Sequence, residues 1–128
     1  MNQYEVPALI AYKLPEVRDA IINRITWGSA DNALLVLAEY TQRMCMLHDL
    51  PAIQKCMKVA DKIYTRGNVA VKTAVANTFV KSFNEFRDTC NKVEWRFLQA
   101  RMPVHLYSLY IQELVNHKST LNLSVADR

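Results

Sequence analysis

The chain has 128 residues, 51% of them hydrophobic and 22% charged, with a formal net charge of +4. These values fit one domain with a core of its own and exclude a disordered polar tail. Two glycines and four prolines are too few for the tight turns of an all-β design, and no run approaches the ~18 uninterrupted apolar residues of a membrane span.

Residues 1–13 read either as an extended arm or as a short helix entered at Val6-Pro7, with Leu9, Ile10 and Leu14 as contacts. This end has no basic segment followed by a long apolar run, so it does not read as a secretory signal, and a cytoplasmic location is expected. Pro15 opens the next helix, because proline is tolerated in a first turn, and Glu16 complements the positive end of the dipole. That helix runs to about residue 24 or 25, with Val17, Ile21, Ile22 and Ile25 as its buried stripe. Trp27-Gly28-Ser29 breaks it, with Gly28 just past its end and Ser29 a candidate cap for the helix that follows. The next helix, 30–47, is apolar through 33–38 and is expected to be the most buried. Its wetter positions are Asp31, Glu39, Gln42 and Arg43.

Asp49 can cap a helix with Pro51 in its first turn. From residue 53 on, the apolar residues Ile53, Cys56, Met57, Ala60, Ile63 and Tyr64 return every three or four positions, which is one face of an α-helix. Gly67 is a candidate left-handed cap at its end. The short linker between the helices on either side of Asp49 predicts an antiparallel pair. A third helix, 69–86, turns Val71, Val75, Phe79 and Phe83 inward and leaves Val80 at the margin. Residues 87–91 read as a break or a bend. A helix over 92–101 offers Val93, Trp95, Phe97 and Leu98 as contacts and ends at Met102-Pro103. The last helix, 104–117, has Leu106, Tyr107, Tyr110, Ile111 and Leu114 on one side, and 118–128 reads as a frayed tail. The fold class is therefore all-α: a single-domain bundle of five or six antiparallel helices.

Ala-rich helix pairs with short turns resemble tetratricopeptide units, and residues 50–68 look like the second helix of one. The Trp, Gly, Tyr and Pro of that repeat do not recur at their offsets. A closer resemblance rests on the run from Leu50 to Asn68 followed by Val71-Lys72-Thr73-Ala74-Val75-Ala76-Asn77. It has a lysine-flanked Cys56, a small and an acidic residue ahead of a hydrophobic pair, then Gly67-Asn68, then a helix with Val-Lys, small residues and Asn. This resembles an uncharacterised family of small bacterial all-helical domains, over roughly residues 31–115. The resemblance implies a helical bundle and carries no activity or catalytic residue with it.

No catalytic residue, metal site or cofactor site is predicted. His48, His105 and His117 are isolated, without HxxxH or HExxH spacing. Cys45, Cys56 and Cys90 are an odd number without CxxC, which fits reduced buried thiols. Cys45 and Cys56 flank the turn near Asp49 and could lie close. Cys45 and His48 could form a nucleophilic pair, but no orienting carboxylate or oxyanion site accompanies them. Glu16 with Asp19, and Glu85 with Asp88, share helical faces and read as caps or ion pairs. Two isolated glycines cannot build a phosphate loop.

Two surfaces carry functional hints. Between Gln54 and Lys81 six basic residues (Lys55, Lys58, Lys62, Arg66, Lys72 and Lys81) face one acid, Asp61. The face of Lys55, Lys58, Lys62, Arg66 and Lys72 reads by default as a charged solvent face, and it could also dock an acidic partner or nucleic-acid phosphates. No recognition-helix motif and no aromatic platform interleaves it, so nucleic acid is the alternative and not the preferred reading. Trp95, Phe97, Tyr107 and Tyr110 read first as core; a leftover apolar strip among them would instead be the candidate interface for a protein partner or a second copy of the chain. The expected function is a non-enzymatic protein–protein interaction or scaffold module.

Overall fold

The computed structural model describes the backbone of residues 1–24 and 30–126, and the side chains of 1–23 and 30–116. The chain is a single all-α domain. Its helices are α1 (Val6–Lys13), α2 (Arg18–Arg24), α3 (Ala30–Met46), α4 (Leu50–Arg66), α5 (Val69–Ala74), α6 (Phe83–Thr89), α7 (Lys92–Ala100) and α8 (Val104–Ala126). A 3₁₀ turn, Pro15–Val17, leads into α2. Ile25, Gly28 and Ser29 lie outside the described residues.

The N-terminal stretch resolves to a helix. Val6, Ile10 and Leu14 lie on one side at spacings of four and are buried against the core. Val17 and Ile21 continue that stripe, but Ile22 is 65% exposed, because one residue on from Ile21 is a hundred degrees around the helix. α3 is the hub of the fold: it touches α1, α2, α4 and the rod over 69–89. It buries Ala30, Ala33, Leu34, Val36, Leu37, Ala38, Thr41 and Cys45. Thr41 is admitted because its hydroxyl donates to the Leu37 carbonyl at 2.7 Å.

Asp49 caps α4 as its position predicts, accepting from the Ala52 N–H at 3.2 Å. The reversal before it is made by His48, which stands at φ 56. Along α4, Ile53, Cys56, Met57, Ala60 and Ile63 are buried and Tyr64 is partly so. Gly67 corrects the sequence expectation: its φ of −74 and ψ of 150 are extended, not left-handed. What it supplies is room. A Cβ there would stand 2.5 Å from Val71 Cγ1 and 2.8 Å from the Ile63 carbonyl oxygen. Asn68 then caps α5, accepting from the Val71 N–H at 3.0 Å.

Residues 69–89 form one rod whose middle departs from α geometry. Val75–Phe79 is a π turn and Val80–Ser82 a 3₁₀ turn. The Val80 N–H reaches back to the Val75 carbonyl, five residues away. The widened turn retards everything after it, and this is why Val80, expected at the margin, is buried. Below it Phe79, Phe83 and Phe86 are buried together with Trp95 and Tyr110. The rod continues to Thr89. The break falls at Cys90 and Asn91, both extended. A capping box starts α7: the Glu94 N–H donates to Asn91 Oδ1 at 2.8 Å and the Asn91 N–H to Glu94 Oε1 at 3.0 Å. On α7 Trp95 and Leu98 face inward, whereas Val93 is 75% exposed and corrects its assignment as a contact. The last helix keeps its backbone to Ala126, past the end predicted at 117 and through most of the expected tail.

Gly67→Ala should lower stability by about 1–3 kcal/mol through overpacking at Val71. Urea titration checks this: the midpoint should fall with the slope unchanged.

Candidate interaction surfaces

The basic residues of α4 are spaced three, four and four apart, so Lys55, Lys58, Lys62 and Arg66 line one stripe. At 1.5 Å per residue the stripe is about 16 Å long. α1 packs against α4 and brings Lys13 to its end. The Lys13 ammonium lies beside that of Lys62; its closeness and charge, then the Arg66 charge, hold the Lys62 pKa below the usual amine value. Sequence reasoning missed Lys13, because only the tertiary contact of α1 with α4 places it there. Lys72 does not join the stripe. Its ammonium sits 5.0 Å from the centroid of the Tyr64 ring, on the far side of α4. The single acid of the segment, Asp61, also faces away: its Oδ1 is 3.4 Å from His105 Nδ1 on α8.

The four aromatic candidates separate into two kinds. Trp95 and Tyr110 are core, 5% and 3% exposed, with rings 5.8 Å apart and both stacked on Phe83. They follow the core reading and leave the candidate interface, since edge-to-face rings at this distance are a packing motif. Phe97 is half-buried, with the Arg101 guanidinium 3.8 Å above its ring. Tyr107 is 41% exposed and remains at the surface. Beside it an open furrow of about 530 Å³ runs between α7 and α8, lined by Arg96, Gln99, Ala100, Met102, Val104 and Tyr107.

The Cys45–His48 pair does not form. Cys45 is buried, while His48 is exposed and its Nδ1–H donates to Glu94 Oε1 at 2.9 Å. The thiol that acts most strongly on Cys45 is not Cys56 across the hairpin but Cys90. Cys56 instead meets the Thr41 hydroxyl. Burial pushes all three thiols up, Cys56 to about 11 and Cys45 furthest. That is the opposite of an activated nucleophile. Of the paired carboxylates, Glu16 accepts the Tyr40 hydroxyl at 3.0 Å, and burial followed by this bond raises Tyr40 to about 12. Asp88 pairs with Arg87 at 3.3 Å. Among the described residues no group of three or more His, Cys, Asp or Glu could hold a metal, and no helix is long and apolar enough to cross a membrane.

Two predictions follow from these contacts. The Asn91 backbone N–H, then His48, hold the Glu94 carboxyl below its ordinary value. A depressed carboxylate pKa adds stability above the unfolded pKa and loses it as pH falls through the folded one. Glu94→Ala should therefore lower the unfolding midpoint at pH 7, and the gap should close as the pH drops below about 4. The thiols should resist iodoacetamide in the native protein at pH 8, with a thiolate fraction at Cys56 lower on the order of a hundredfold than in the unfolded chain. All three should react in guanidinium, as mass spectrometry would show.

A family model described as a domain of unknown function, DUF7674, matches residues 7–117. No curated protein matches the chain, and no solved structure does. With nearly all of the bundle from α1 into α8 inside the match, the chain belongs to the DUF7674 domain family.

Proposed function

We propose that the protein is a non-enzymatic interaction module that docks an acidic protein surface on the α4 stripe. The observation that carries this reading is the convergence of Lys13 with Lys62 and Arg66. Like charges gathered on one exposed face repel, and no described carboxylate is paired with them, so a negatively charged partner would relieve the repulsion. The raised thiols and the separation of Cys45 from His48 support a role outside catalysis. Three free, buried cysteines suit a reducing compartment, and we place the protein in the cytoplasm.

Nucleic acid is the second reading, because the same stripe would meet phosphates. It is weakened by the position of Tyr64, which lies on the other side of α4 under Lys72 and offers no stacking platform beside the stripe.

The test compares fluorescein-labelled polyglutamate with 20-nucleotide single- and double-stranded DNA, by fluorescence anisotropy from 25 to 300 mM salt. The expected result is saturable polyglutamate binding that weakens with salt and falls at least tenfold in Lys58→Glu/Lys62→Glu. Binding of DNA with the same dependence on the stripe, and none of polyglutamate, would move the assignment to nucleic acid. No binding of either at 25 mM salt would remove both readings.

A further inference from the structure

The outer side of α7 and the start of α8 carry a feature that the α4 stripe does not use. Val93 and Val104 are 75% and 78% exposed, and Tyr107 lies beside the furrow with Met102 in its wall. Met102, Val104 and Tyr107 share this lining with Arg96, and Val93 lies about one turn before Arg96 on α7. The furrow continues past Arg96 and Gln99 into a second hollow of about 630 Å³, which runs by Lys92 toward Arg87. Apolar surface ringed by polar groups and set in a concavity is the usual form of a docking site.

The charged lining is positive on balance, Arg87, Lys92 and Arg96 against Asp88. Asp88 is held by Arg87, and Glu94 is held by His48 and the Asn91 N–H. No described carboxylate is paired with Lys92 or Arg96. A second copy of the chain would bring another +4 toward this positive groove, so self-association is opposed. α7 is nine residues long, about 13 Å, which accommodates roughly four residues of extended chain.

We propose that the furrow between α7 and α8 is a docking site for an acidic protein segment that places apolar side chains on Val104 and Tyr107 and carboxylates on Arg96 and Lys92. The site shares no residue with the α4 stripe. α8 meets α4 through His105 with Asp61 and Tyr64, on a different flank from the lysines. The protein would then hold two acidic partners at once.

The probe is a fluorescein-labelled synthetic octapeptide in which aspartate and glutamate alternate with leucine and phenylalanine, read by fluorescence polarisation at 50 mM salt. Polyglutamate serves as the apolar-free control. Arg96 and Val104 are exposed, so Arg96→Glu and Val104→Asp should keep the helical circular dichroism of the parent. The expected result is saturable octapeptide binding that each substitution weakens at least tenfold, while Lys58→Glu/Lys62→Glu changes it less than threefold. Polyglutamate should show the reverse dependence, which separates failure of the furrow from failure of the stripe. The proposal is overturned by absence of saturable octapeptide binding, or by binding that only the stripe variant abolishes. A concentration-dependent dimer in light scattering that Val104→Asp dissolves would also overturn it, by seating a second copy in the furrow.

Discussion

The ring of Phe83 is the joint on which the C-terminal half hangs. It meets Phe79 at 5.5 Å, Phe86 at 5.8 Å, Trp95 at 6.1 Å and Tyr110 at 5.5 Å, so one side chain ties the 69–89 rod to both α7 and α8. Fully buried rings each contribute on the order of 1.5–3 kcal/mol through area alone, and their edge-to-face contacts add to that. The side chains that bind α7 and α8 inward are the large aromatic ones. What they leave outside is the opposite flank of the same two helices, with its valines and arginines. The composition of the surface follows from how the interior was filled.

Polar contacts supplement this joint: Gln42 donates to the Thr89 hydroxyl at 2.6 Å, and two others use histidine. His48, in the turn after α3, reaches Glu94 on α7, and His105 on α8 faces Asp61 on α4. Both join the α3–α4 pair to the helices that the aromatic cluster holds from the other side. The two contacts are not equivalent. The first is a hydrogen bond built into a capping box, whereas Asp61 Oδ1 is buried without a hydrogen-bond partner in the second. A buried acceptor left unpaired is costly, so the α4–α8 contact is the weaker one.

Much of the architecture was legible because local rules and the fold agree. The three- and four-residue spacing of α4, the cap at Asp49 and the stop at Met102-Pro103 are properties of neighbouring residues, and the structure repeats them. The basic stripe was legible for the same reason. Features that depend on partners distant in sequence were not. Lys13 reaches Lys62 only because α1 packs on α4, and Cys45 meets Cys90 instead of Cys56 because the rod packs on α3. Trp95 and Tyr110 could not be told from Phe97 and Tyr107 because periodicity does not say which of two apolar faces is covered. Gly67 was misread because its missing side chain answers to Val71 rather than to its own φ.

The π turn at Val75–Phe79 has a consequence for the length of the chain. Such a turn is equivalent to one surplus residue in an otherwise regular helix. Removing a single residue there would give a straighter and locally better-bonded rod. Straightening the turn with every residue kept would instead swing Phe83 and Phe86 about a hundred degrees around the axis, away from Trp95 and Tyr110, whereas the deletion would leave them in phase. The irregularity is thus a phase adjustment: upstream of it the rod is indexed to α3, downstream to the aromatic rings. A one-residue deletion within this stretch should therefore be tolerated better than a one-residue insertion.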